Sequence, residues 1–276
     1  MTRSARTGQA ARLLFLGFVA AISVVPFLWT LMSSMKSNRD ILTSAFTLPS
    51  AFGFDNYAGA FDSLPLGVYY GNSLIVSALC IVVSLAVFSM SAYVFARFHF
   101  RGKAFLYVCL SMSLLIPVTA IIFPIYIFVK AIGLYDTKIG LVLVYAALSM
   151  PVVIYIMRSY FLTIPKEIEE AAYLDGAGFA GTFLRIMLPL SAPVLASSAV
   201  LVFLTAWNDF LYALVLTTGD SARTVPVALT AFQSMYGSNY GQLFAASVVV
   251  VLPSVVIFLL LQRKIESALV AGAVKG

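Results

Sequence analysis

Residues 72–96 read NSLIVSALCIVVSLAVFSMSAYVFA, 25 residues without one aspartate, glutamate, lysine or arginine. A helix of about 20 mostly apolar residues covers the ~30 Å hydrocarbon layer of a bilayer, so this stretch is long enough to cross. A β-barrel strand would instead alternate apolar and polar residues over about ten positions, whereas this run is continuously apolar. Five more segments qualify, Leu13–Met35, Ala104–Val129, Ile139–Met157, Leu190–Val215 and Leu243–Leu261. The whole chain agrees, because 62% hydrophobic and 10% charged residues at a mean hydropathy of +1.01 leave too little polar surface for a dissolved globule. The fold class expected is all-α, a polytopic membrane protein of six transmembrane helices.

The cationic residues set the orientation, because lysine and arginine are retained on the cytoplasmic side. With the N-terminus inside, twelve fall in the cytoplasm (Arg3, Arg6, Arg12, Arg97, Arg101, Lys103, Arg158, Lys166, Arg185, Arg263, Lys264 and Lys275) and five outside (Lys36, Arg39, Lys130, Lys138 and Arg223). Both termini are therefore expected in the cytoplasm. The net charge of +6 is a topology signal and not a nucleic-acid footprint, since the basic residues are scattered at helix ends. Arg3, Arg6 and Arg12 ahead of an apolar run resemble a signal peptide, but the run spans a bilayer and no small-residue cleavage pattern follows, so it reads as a retained first helix. Cys80 and Cys109 lie in apolar runs and read as small hydrophobes. The expected organisation is a cytoplasmic segment 1–12, a transmembrane domain 13–271 and a cytoplasmic tail 272–276.

Outside loops 36–71 and 217–242 carry turn formers, aromatics and few charges. Composition reads them as interfacial connectors, with a docking surface for an external protein as the alternative. Gly237 and Gly241 have GxxxG spacing but fall in the second of these loops, outside any span.

The connection between spans four and five, Arg158–Pro189, is too long to be a mere connector. It reads RSYFLTIPKEIEEAAYLDGAGFAGTFLRIMLP and predicts two short helices. Pro165 suits the first turn of the first helix, and Glu167, Glu169 and Glu170 put negative charge at its positive end. Asp175 and Gly176 supply the stop. Phe179, Phe183, Ile186 and Met187 give the second helix one apolar face, and Pro189 marks the turn into the next span.

Glu170-Ala171-Ala172, then Gly176, then Ile186, Leu188 and Pro189, resemble the EAA motif of ABC importer permeases with each characteristic position filled. The run Ser91-Ala92-Tyr93-Val94-Phe95-Ala96-Arg97-Phe98-His99 through Gly102, the pattern Trp207-Asn208-Asp209-Phe210 and the ending Gly272-Ala273-Val274-Lys275-Gly276 are similar to carbohydrate-importer permeases of the maltose and glycerol-phosphate type, and within them to the shorter, second maltose permease. The resemblance covers nearly the whole chain. It implies a multi-pass subunit of a prokaryotic cytoplasmic membrane that translocates a sugar or oligosaccharide by alternating access. It also implies the partners: a second permease subunit, two ATPase subunits that bind the ATP and Mg, and an extracytoplasmic solute-binding protein. The loop around Glu170 to Pro189 would dock on the ATPase. Gly272, Ala273, Val274 and Lys275 would reach toward it or form a frayed end, two readings of equal weight.

No G-x-x-x-x-G-K-[ST] loop occurs, so the chain is not expected to bind a nucleotide or any other cofactor, or to act as an enzyme. His99, the single histidine, has no cysteine or carboxylate cluster with which to hold a metal. Asp209 beside Trp207 and Asn208 has two readings, a lining of the translocation path or a partner that fixes packing, with the second slightly favoured. Pro117, Pro124 and Pro253 are expected to kink spans. Two rival classes fare worse: an ion-coupled secondary transporter needs ionisable residues in several spans, and a membrane enzyme needs clustered catalytic side chains.

Overall fold

A computed structural model describes residues 3–44, 46–49, 52–234 and 237–273. Four helices are long and apolar enough to cross a membrane, and six spans result if each of two bent helix pairs counts as one. Helix α1 (Arg3–Ser33) starts well before the Leu13 expected from hydropathy, although its apolar part begins at Arg12. Short helices α2 (Asn38–Thr43) and α3 (Asp55–Ser63) precede α4 (Leu66–Arg97), the span read first in the sequence.

The third span is broken. Helix α5 (Lys103–Ser113) ends ahead of Pro117, and a 3₁₀ turn (Val118–Ile121) leads into α6 (Ile122–Ala131), with a bend of 98° between the halves. The cause is local, because proline disfavours the helical conformation of the residue before it and removes a backbone donor. A neighbour compensates: the Tyr212 hydroxyl donates to the Val118 carbonyl at 2.6 Å. Pro124 makes no such break, since it falls in the first turn of α6, where no donor is needed. Pro26, Pro151 and Pro253 sit inside helices.

Helix α7 (Lys138–Phe161) is the most buried of the four unbroken spans and is followed in the chain by α8 (Glu167–Leu174) and α9 (Phe179–Thr182). The chain then widens into a π turn (Phe183–Met187) before α10 (Leu188–Leu190) and α11 (Ala192–Asn208). The Leu188 amide donates five residues back, to Phe183. Pro189 cannot donate and its ring crowds the preceding turn, so the turn expected at Pro189 takes the form of a widened π turn and a 78° bend at Ser191. That span also ends earlier than expected, at Asn208, and α12 (Leu211–Leu216) follows separately. Helix α13 (Val225–Ala228), a two-residue antiparallel pairing of β1 (Gln233–Ser234) with β2 (Gly237–Ser238), and α14 (Tyr240–Ala273) complete the chain. Helix α14 runs through Gly272 and Ala273, so no break separates the expected tail from the last span. Val274 and Lys275 lie outside the described residues.

The chain divides into two compact units, Met1–Leu66 with Ala228–Leu252, and Gly67–Val227 with Pro253–Gly276. In the first, Asn56 donates to the Ser34 and Lys36 carbonyls at 2.9 and 2.8 Å, and Trp29 meets the edge of Phe244 at 5.1 Å. Gly241 opens α14 against Asn56 so closely that a Cβ there would collide with the amide, which is the use of this glycine. In the second unit the core runs through α4, α7 and α11, with Cys80, Tyr93, Tyr145, Phe161 and Met187 buried. Asp136, in the left-handed conformation at φ 59°, receives the Thr218 and Gly219 amides at 2.8 and 2.9 Å. Burial alone would raise its carboxyl; those amides outweigh burial and hold it below the ordinary carboxylate value.

Candidate functional site: the loop between α7 and α11

Helix α8 forms as the sequence predicts, with Glu167, Glu169 and Glu170 in its first turn. Pro165 falls just outside it, and Lys166 takes the capping position. Gly176 ends the segment in the left-handed conformation at φ 82°, the geometry a C-terminal glycine supplies. The Ala177 amide then reaches back to Ala172 at 2.9 Å.

The three carboxylates do not share an environment. Glu167 and Glu170 are exposed, whereas Glu169 is buried at 7%. Its carboxylate accepts from the Tyr93 hydroxyl at 2.6 Å and forms an ion pair with Arg97, itself buried. Arg97 also donates to the Ile164 carbonyl at 2.6 Å. The end of α4 thus grips both the approach to α8 and its first turn. Around Tyr93 the rings of Phe161, Phe179 and Phe183 lie at 5.5, 5.7 and 5.2 Å, so the apolar face predicted for the second helix packs on the same residue.

The other face of α8 is open. Glu170 and Ala171 are exposed, Ala172 is buried against the chain, and Tyr173 and Leu174 are exposed at 44% and 89%. A Cβ on Gly176 would meet nothing within 4 Å. Ile186 and Leu188 are half-buried and Pro189 is exposed. A short helix is fixed from behind and presents an uncovered apolar tip.

The second group of expected residues is less united. Trp207 is wholly buried, stacked on Phe203 at 5.3 Å and edge-on to Tyr70, and so presents no face to a pathway in this structure. Asn208 is exposed and accepts from Ser254 at 2.9 Å. Asp209 accepts from the Tyr145 hydroxyl at 2.8 Å and from the Ala213 amide at 3.0 Å, tying α7 to the start of α12. That geometry favours a packing role. Asp209→Ala is expected to cost about 1–2 kcal/mol, read as a lower Tm, and Asp209→Asn to retain most of it. A Tm unaltered by Asp209→Ala, with a changed uptake KM, would move Asp209 to the pathway instead. Among the described residues no cluster of histidine, cysteine and carboxylate side chains is arranged to hold a metal ion.

The family of binding-protein-dependent transport system inner membrane components matches residues 83–270, a stretch that contains the whole of this loop. The chain belongs to that family. The permease is 37% identical to the diacetylchitobiose uptake system permease protein of Streptomyces coelicolor, over 92% of this chain and 84% of that one. It is 35% identical to the trehalose/maltose transport system permease protein of Thermococcus litoralis, over 96% of both. Its fold matches a chain of the crystal structure of a bacterial ABC transporter involved in the import of the acidic polysaccharide alginate, with a TM-score of 0.83 at 22% identity, covering 95% and 98% of the two chains. The protein is therefore a multi-pass component of an inner membrane, as its apolar helices require.

Proposed function

We infer that the permease carries a sugar or oligosaccharide inward by alternating access, driven by ATP hydrolysed on partner subunits. The observation that carries this reading is the loop itself, a helix anchored through Glu169 and Ala172 while Glu170, Ala171, Tyr173 and Leu174 stay uncovered. An exposed apolar tip of this kind fits a receiving cleft on another protein. Two ATPase subunits holding ATP and Mg, a second permease and an extracytoplasmic solute-binding protein complete the assembly. The sugar-transporting relatives support the substrate class. The twelve-to-five division of cationic residues supports cytoplasmic termini and a cytoplasmic loop.

The test is uptake of labelled trehalose, maltose, chitobiose and arabino-oligosaccharides by a strain lacking this chain, with and without its restoration. Uptake of at least one sugar should return with the chain and vanish when the partner ATPase is inactivated. Uptake that survives loss of the ATPase but collapses with an ionophore would sink the ATP-driven reading.

A further inference from the structure

The turn from α4 into α5 holds a cavity of about 430 Å³ with three basic side chains on its wall, His99, Lys103 and Arg158. None of its lining residues is acidic. Arg158 lies over the Tyr107 ring, 4.5 Å from its centroid, and donates to the Tyr107 hydroxyl at 3.2 Å and to the Phe95 carbonyl at 3.3 Å. Those bonds use Nη1 and Nε, and Nη2 makes no hydrogen bond among the described residues. Lys103 spends one of its three protons on the Phe98 carbonyl at 2.8 Å. The floor is the start of α5, whose capping residue Gly102 has φ 84° and no side chain to cap with, and whose first turn contains no acid. The Lys103 amide bonds the Phe100 carbonyl at 3.3 Å, and the rest of the first turn, with the positive end of the dipole, has no side-chain cap and no acid beside it.

Like charges gathered in one recess repel, and Lys103 at the first position of a helix adds to a pole that already favours an anion. The one buried carboxylate nearby, Glu169, is spent on Arg97 and does not line the cavity. Phe100, exposed at 38%, lines the cavity, and the exposed Phe105 and Leu106 follow in the same first turn of α5. A polar, cationic hollow with an apolar rim at the end of two spans matches one kind of ligand.

The geometry points to a binding pocket for a phosphate-bearing anionic headgroup, held by Arg158, Lys103, His99 and the Ala104 amide at the start of α5, with acyl chains along the apolar side of the opening. Basic pockets between spans take phospholipid headgroups in this way, and a free phosphate ion would present the same chemistry. The inference rests on α4 and α5 being membrane spans, and it requires neither the sugar nor the ATPase.

The test uses the full-length chain, co-expressed with its partners, in nanodiscs of phosphatidylcholine doped with phosphatidylglycerol, the retained lipid being counted by native mass spectrometry. Phosphatidylglycerol should be retained in preference to phosphatidylcholine, with the preference falling about fivefold for each cation removed in Lys103→Gln and in Lys103→Gln with Arg158→Gln. Because Arg158 also holds the Phe95 carbonyl, His99→Gln with Lys103→Gln serves where the Arg158 variant fails to fold. Displacement by inorganic phosphate would support the pocket and assign it to a soluble anion; no displacement assigns it to the lipid. Equal retention of both lipids by the unaltered protein, or a preference untouched by either pair of substitutions, overturns the proposal. Uptake is not the readout, so a failed transport assay leaves this result standing.

Discussion

Arg97→Met should lower the stability of the permease by about 3–5 kcal/mol, because it strands the Glu169 carboxylate in a buried site with only the Tyr93 hydroxyl for company. Both members of the pair are buried, so bulk water does not make good the loss. The partner change tests the cause. Arg97→Met combined with Glu169→Met replaces the ion pair by apolar groups of similar length and should regain most of the lost Tm. It should not regain coupling, since the bond from Arg97 to the Ile164 carbonyl at the base of α8 is still missing. The measured quantity is ATP hydrolysed per sugar taken up by the assembled transporter, expected to rise in both variants. A ratio that stays at its unaltered value in the single variant would show that the clamp fixes the fold alone, with no part in transmitting motion.

The same clamp marks where the sequence stops being readable. Spans follow from composition, since each needs only a run of apolar residues, and the end of α8 follows from Gly176, whose left-handed backbone is a property of one residue type. Both are local signals. The burial of Glu169 is not local, because the groups that receive it stand on α4, at Tyr93 and Arg97, and nothing near residue 169 names them. The dipole argument treats Glu167, Glu169 and Glu170 alike, and only tertiary packing separates them. The broken spans are an intermediate case. Pro117 announces a break, yet Pro124, read by the same rule, falls in a first turn and breaks nothing. The π turn before Pro189 depends on how the chain absorbs the missing donor, by kinking, unwinding or widening, and residue identity does not choose among these. Trp207 is a related case: aromatic and amide neighbours suggest a sugar-binding surface, but which way the indole faces depends on Phe203 and Tyr70, far from it or unmarked in the sequence.

Gly176→Val is the second variant with a large expected effect, and its interpretation turns on two separable properties of the position. The backbone is left-handed at φ 82°, so any β-branched residue is strained there, at a cost of roughly 1–2 kcal/mol or more. The space beside it is empty within 4 Å, so no side chain is crushed inside this chain. Valine should therefore abolish uptake by unfolding the turn after α8 and by occupying whatever volume the partner fills. Asparagine separates the two, because it tolerates the left-handed conformation and still projects a side chain. Gly176→Asn should keep the Tm of the unaltered permease while losing co-purification of the ATPase, a combination that strain inside the chain does not produce. Retention of both uptake and ATPase by the valine variant would remove the docking role from this loop, and retention of the ATPase by the asparagine variant would confine the role of Gly176 to the shape of the turn.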